Sequence, residues 1–182
     1  MAVRKSRKPR PPLDAARLDE LALAYVGRFA TTRAKLASYL ARKIRERGWA
    51  GARPADVDGI AERLSALGYV DDAAYALSKS RALTGRGFGA RRVRQSLRAA
   101  GIADEDCAPA QALAEVEAVD SAIRFARRRR LGPFAEHEPD RPAKERALAA
   151  MVRAGHGFEL SRAIVSLKPG VEPDIESLVE KG

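Results

Sequence analysis

Aromatic residues are scarce in this chain of 182 residues: they make up 5% of it, with a single tryptophan among them. Any core must therefore rest on Ala, Leu, Val and Ile. There is one cysteine, Cys107, which excludes an internal disulfide and a cysteine metal cluster. The two histidines, His137 and His156, have no ligand set near them in sequence, and both are expected in exposed loops. Strand-forming residues are scattered and never alternate with polar ones over a useful length, which argues against a sheet. No apolar run reaches the roughly 18 residues that span a membrane. The opening MAVRKSRKPRPP is positive but has no apolar run behind it, so it does not read as a secretory signal. These absences lead to the expectation of a cytoplasmic protein with no metal, no cofactor and no membrane contact.

Positive charge and helix formers are what the chain has in excess. Lys and Arg number 34 against 24 Asp and Glu, a formal charge of +10 and a pI near 10.2. Such a balance points to a polyanion or an acidic partner, with solubility alone as the competing explanation. Hydrophobic residues make up 46%, and the abundant Ala, Leu, Arg and Glu are strong helix formers.

Helical periodicity begins after a basic arm, residues 1–12, that ends in Pro11-Pro12 and is expected to be disordered. Leu18, Leu21, Tyr25 and Phe29 share one helix face. Leu36, Leu40 and Ile44 form a second stripe, started near Thr31 or Thr32 and stopped at Gly48. Val57, Ile60, Leu64 and Leu67 form a third, stopped at Gly68. The layout then recurs. Gly48, Gly101 and Gly155 align at spacings of 53 and 54 residues, with Ile44, Leu97 and Met151 four residues before each. The expectation is an all-α chain: a tandem array of three degenerate three-helix, helix-turn-helix-like repeats, elongated and curved. Their spans are 13–68, 69–116 and 117–168, with a tail over 169–182. Helices are expected over 71–84, 89–100 and 104–115, then 117–130, 142–154 and 158–167. Pro109 falls inside the sixth and should shorten or kink it.

Residues 85–102, GRGFGARRVRQSLRAAGI, pose the sharpest question. Gly85, Gly87 and Ala90 fit a relaxed dinucleotide fingerprint, but that pattern works only after a buried strand, and a helical stretch precedes it here. A turn between two helices fits better. The charge around it is harder to dismiss, because 73–103 contains no Asp or Glu. Lys79, Arg81, Arg86, Arg91, Arg92, Arg94 and Arg98 all lie there. Arg91, Arg94 and Arg98 share a face opposite Val93 and Leu97, and a one-sign stripe repels itself unless an external anion meets it. A solvated face is the rival reading. Arg124, Arg127 and Arg128, in RFARRRRLG, extend the candidate contact set. Part of that run complements a helix C-terminus.

Other chemistry-bearing residues form no active site. Asp71-Asp72 at a helix start reads as a cap and a dipole partner. Cys107 has no base at motif spacing, and Trp49 reads as a packing residue rather than a base-stacking one.

LGYVDDAAYALSKSRALTGRGFGARRVRQSLRAAGI (67–102) resembles the signature of the RecX family. The matching elements are Gly68, Tyr69, Asp71, Asp72, Tyr75, Arg81, Gly87, Arg91, Arg92, Arg94, Gln95, Leu97, Gly101 and Ile102. RAGHGFELSRAIVSL looks like the family's last two helices. The departures are Val70 in place of Leu and a Pro-bearing loop, LGPFAEHEPDRP, which unsettles the position of the eighth helix. The resemblance implies tandem three-helix repeats and a non-enzymatic regulator of the RecA recombinase. It implies docking on the RecA–DNA filament, inhibition of recombination and ATPase activity in DNA repair and the SOS response, and no cofactor. Weak, sequence-independent binding to single- and double-stranded DNA by a monomer is expected alongside. A helix-turn-helix transcription regulator is the alternative, although it would call for a dimerisation element and one dominant recognition helix.

Overall fold

A computed structural model describes residues 11–181, so most of the basic arm lies outside the described residues. Among these residues the chain is all-helical, and its one β-bridge pairs Leu13 with Trp49. By internal packing it divides into two compact units, Met1–Asp72 and Ala73–Gly182.

The first unit holds α1 (Ala15–Val26), α2 (Arg33–Arg47) and α3 (Val57–Ala66). Each start is set by a side chain that satisfies an otherwise unpaired N–H. Asp14 accepts from Arg17 N, Thr32 from Lys35 N at 3.2 Å, and Asp56 from Gly59 N at 2.8 Å. The apolar stripes then meet: Leu13, Leu18, Leu36 and Leu40 are fully buried with Ile60, Ala61, Leu64 and Val70 around them. Each of the buried Leu, Ile and Val side chains contributes roughly 2 kcal/mol by leaving water. Leu13 is tied in twice, donating to Gly48 O and accepting from Ala50 N. The first stripe departs from expectation at its end. Gly27 stops α1, and Phe29 falls beyond the helix, 56% exposed.

The second unit holds α5 (Ala90–Ala99), α6 (Asp104–Val116), α7 (Ala118–Arg129), α8 (Arg141–Arg153), α9 (Phe158–Ser166) and α10 (Ile175–Val179), preceded by α4 (Asp72–Gly85), all but whose first residue belongs to it. Two apolar clusters form here. Ala76, Leu83, Val93, Leu97 and Cys107 belong to one; Val119, Phe125, Met151, Leu160 and Ile164 belong to the other. Phe88 packs against both. Helix α6 runs through Pro109 without a break, although the ring removes one N–H from its ladder. Helix α8 starts at Arg141 because Asp140 caps it, accepting from Ala143 N at 2.7 Å. Ahead of it the Pro-bearing loop forms a 3-10 turn, Gly132–Phe134. The tail carries a short added helix, α10, whose Leu178 is buried in the second cluster.

Asp72 does more than the cap and dipole role its position suggests. Its carboxylate is 4% exposed and accepts from Arg33 N at 3.0 Å and from Arg33 Nε at 3.2 Å, so it satisfies the first N–H of α2. The same guanidinium reaches Glu62 on α3. Breaking a fully buried pair costs about 3–5 kcal/mol, and the 30% exposure of Arg33 lowers that figure. Asp72→Ala should therefore destabilise the first unit by about 2 kcal/mol. A urea titration checks this through the midpoint, which falls with little change in slope.

Candidate nucleic-acid interface

The glycine turn between α4 and α5 is not a phosphate cradle. Its donors are already spent: Gly89 N donates to Ala154 O at 3.0 Å, and Arg91 N donates to Gly155 O at 3.1 Å. The turn thus interlocks, backbone against backbone, with the turn between α8 and α9. The close approach explains the glycines. A Cβ on Gly89 would lie 2.4 Å from Gly155 C and O, and one on Gly155 would lie 2.5 Å from Arg92 N. Gly155 also has φ +98°, a left-handed conformation that favours glycine. Gly85, by contrast, has open space around it.

His156 seals this contact, and here the structure corrects the expectation of an exposed loop histidine. The ring is 2% exposed, and Nε2 lies 3.2 Å from Gly87 O. A carbonyl can only accept, so Nε2 carries the proton and donates. Burial holds the His156 pKa down to about 4, partly opposed by the bond to Gly87. The ring also lies 5.5 Å from that of Phe125. A histidine reads as polar and exposed in a bare sequence, and the only signal for burial was its place beside Gly155.

The candidate cations, all in the second unit, sort into two groups. Arg94 is paired with Glu115 of α6 at 3.3 Å, so the acid-free stretch borrows an acid from outside itself. Arg92 donates to Gln95. Arg128 donates to Arg86 O and lies over Phe125, while Arg86 lies over Phe88 and Arg127 over Phe134. These five side chains have local partners. Lys79, Arg81, Arg91, Arg98 and Arg124 have no ion pair among the described residues. Arg81, Arg91, Arg98 and Arg124 are exposed and Lys79 is half-buried. Cys107 is buried beneath α5, which removes it as a reactive thiol. Trp49 packs on the first core and donates from Nε1 to Arg53 O at 2.7 Å.

Comparison with known proteins agrees with this architecture. Residues 71–110 match the family described as RecX, second three-helix domain. The chain is 32% identical over 176 residues to the regulatory protein RecX of Myxococcus xanthus strain DK1622, covering 91% of this chain and 94% of that protein. It belongs to the RecX family. It is also 31% identical over 150 residues to the regulatory protein RecX of Agrobacterium fabrum strain C58, covering 80% of each. Its fold resembles that in the crystal structure of RecX from Lactobacillus salivarius, with a TM-score of 0.60 at 19% identity over 82% of this chain and 93% of that one. A second structure, of regulatory protein RecX, gives 0.58 at 22% identity, covering 82% and 70%. The family match spans α4, α5 and the first half of α6, and so takes in Lys79, Arg81, Arg86, Arg91, Arg92, Arg94 and Arg98 but not the α7 arginines. No described helix is long and apolar enough to cross a membrane.

The interlock generates two expectations. Gly89→Ala should destabilise the second unit by about 2–3 kcal/mol, because backbone rather than a flexible side chain stands in the way. Gly85→Ala should be neutral or stabilising by up to about 1 kcal/mol. Chemical denaturation of the two variants checks this, and equal losses would contradict the interlock.

His156 is neutral when folded, with a pKa below the unfolded value of 6.5. Between these values the unfolded chain binds more protons, so stability falls as pH drops from about 6.5 to about 4. At most about 3 kcal/mol is lost over that window. His156→Gln, which cannot be protonated, should flatten this part of a stability-against-pH profile measured by urea midpoints.

Proposed function

We propose that this protein regulates the RecA recombinase by binding the RecA–DNA filament and hindering its recombination and ATPase activity. Family membership is the observation that carries the reading, since the relatives at 32% and 31% identity are both named regulatory proteins. The cations of the second unit supply a physical means. Among the described residues Arg81, Arg91, Arg98 and Arg124 are exposed and have no acidic partner, so each can neutralise a phosphate or an acidic protein group without first breaking an ion pair there. Arg94, Arg127 and Arg128 would have to exchange a partner already in place. Weak contacts spread over one chain add up to a firm hold on a repeating lattice. Single- and double-stranded DNA are the proposed nucleic-acid partners, bound weakly and with little sequence preference.

A rival mechanism gives the same inhibition: a basic protein could coat DNA and starve RecA of it. Stoichiometry separates the two. Coating needs enough protein to cover the strand and is relieved by extra DNA, whereas filament docking acts below coverage and persists when DNA is in excess. A titration of DNA-dependent ATP hydrolysis by RecA at two DNA concentrations decides between them. Inhibition should hold at the higher concentration for the wild type and weaken for the Arg91→Ala, Arg98→Ala double variant. In the absence of RecA, that variant should flatten the log–log salt dependence of binding to single strands by about 0.7 per contact removed. Affinity for one operator sequence above all others would instead favour a transcription regulator.

A further inference from the structure

The first unit carries an aromatic column that the arginine surface of the second unit does not account for. Tyr25 of α1 and Tyr39 of α2 stack with ring centroids 4.1 Å apart and planes 18° apart. Phe29 continues the column from Tyr25 at 5.3 Å and leaves 56% of its surface in water. At the other end Arg42 and Lys43 lie over the Tyr39 ring, at 5.5 and 5.8 Å from its centroid. In a chain with 5% aromatics, three rings have been brought together and one end left open. The inner rings pack against the first core and keep the column fixed. Phe29 itself serves no helix, because α1 has already ended at Val26.

The setting of the column is basic. Helix α2 carries Arg42, Lys43, Arg45 and Arg47 with Glu46 as its one acid, while its Arg33 is engaged by Asp72 and Glu62. Glu46 is shared between Arg42 and Lys43, and its pKa is lowered by the hydrogen bond from Lys43, so one carboxylate faces two cations. Arg28 precedes Phe29 in the chain and is exposed. A surface made for an apolar protein partner is depleted of charge at its centre. An open ring beside Arg28 at one end of a rigid column, with Arg42 and Lys43 at the other end, is instead the combination that holds a single-stranded nucleic acid: a base stacks on the open ring while phosphates along the strand meet the cations.

We propose that Phe29, backed by Tyr25 and Tyr39, is a base-stacking site for single-stranded nucleic acid, with Arg28 meeting the adjacent phosphate and Arg42 and Lys43, at the far end of the column, meeting phosphates further along the strand. The site lies wholly within the first unit and is independent of the RecA reading, so it can fail while that reading stands. Its test contains no RecA. Fluorescence anisotropy with labelled oligo-dT compares the wild type with Phe29→Ala, Phe29→Leu and Phe29→Trp. Alanine and leucine should each weaken binding by about 5- to 100-fold while leaving the salt dependence unchanged, because stacking releases no counterions. Tryptophan should preserve affinity, and its emission should be quenched as a base stacks on it. A strand of abasic sites should bind wild type and Phe29→Ala alike. Thermal unfolding of each variant shows that the exposed substitution leaves the fold intact. Wild-type affinity in Phe29→Ala would overturn the proposal. So would full retention by leucine, the mark of an apolar protein-docking residue.

Discussion

The second unit depends on one contact in which two turns meet without side chains between them. Gly89 and Gly155 approach so closely that a single methyl group on either would strike backbone, and the N–H groups of Gly89 and Arg91 are satisfied across the contact. Hydrogen bonds of this kind give only about 1 kcal/mol each net, but leaving the same groups buried and unpaired would cost more. The turns are therefore held together as much by the penalty for separation as by attraction. His156 closes the edge with a bond to Gly87 O, and Phe88 packs against both apolar clusters beside it. The position of α5, and with it the direction of its arginines, follows from this junction.

Much of the fold was legible because it is local. Apolar residues at helical spacing, a helix start near Thr32 and glycines past helix ends each act within one turn of chain, whereas the caps at Asp14 and Asp56 came only with the structure. The aligned glycines Gly48, Gly101 and Gly155 all have positive φ, so the 53- and 54-residue spacing marked a real backbone requirement. What stayed hidden involves partners far apart in sequence. Asp72 with Arg33, Arg94 with Glu115 and His156 with Gly87 are separated by 39, 21 and 69 residues. Nothing in a single chain of letters pairs such positions, so Asp72 looked like a cap and His156 like a loop residue. Phe29 kept the helical period for one step too many, because periodicity continues through a glycine that backbone geometry does not.

The candidate interface was legible as composition and illegible as geometry. Composition marks the cations of 73–103 and of 124–128 as one candidate contact set, with nothing to tell its members apart. The structure separates them. Arg86, Arg127 and Arg128 lie over phenylalanine rings, and Arg94 reaches an acid from α6. An arginine over an aromatic face keeps its charge but loses freedom, and its stem covers apolar surface, so its loss would be felt in packing as well as in charge. Arg92 donates to Gln95, and Lys79, Arg81, Arg91, Arg98 and Arg124 have no ion pair or ring contact among the described residues.

That division bears on what an external polyanion would find. Helix α5 commits Val93 and Leu97 to the core and exposes Arg91 and Arg98 on the far side. Arg94 stands one turn from each of them, and like charges at that spacing are mildly destabilising on an isolated helix, which Glu115 relieves only for Arg94. The cost is small singly and recurs at Arg124, one turn before Arg127 and Arg128. Stability alone gives no reason to keep it, since a glutamate at any of these exposed sites would relieve it and a helix would accept it readily. A polyanion reverses the sign of the repulsion, because each charge then releases a counterion from the partner. Those same side chains are the ones free to turn toward a phosphate, whereas the ring-stacked arginines hold the surface on which they stand.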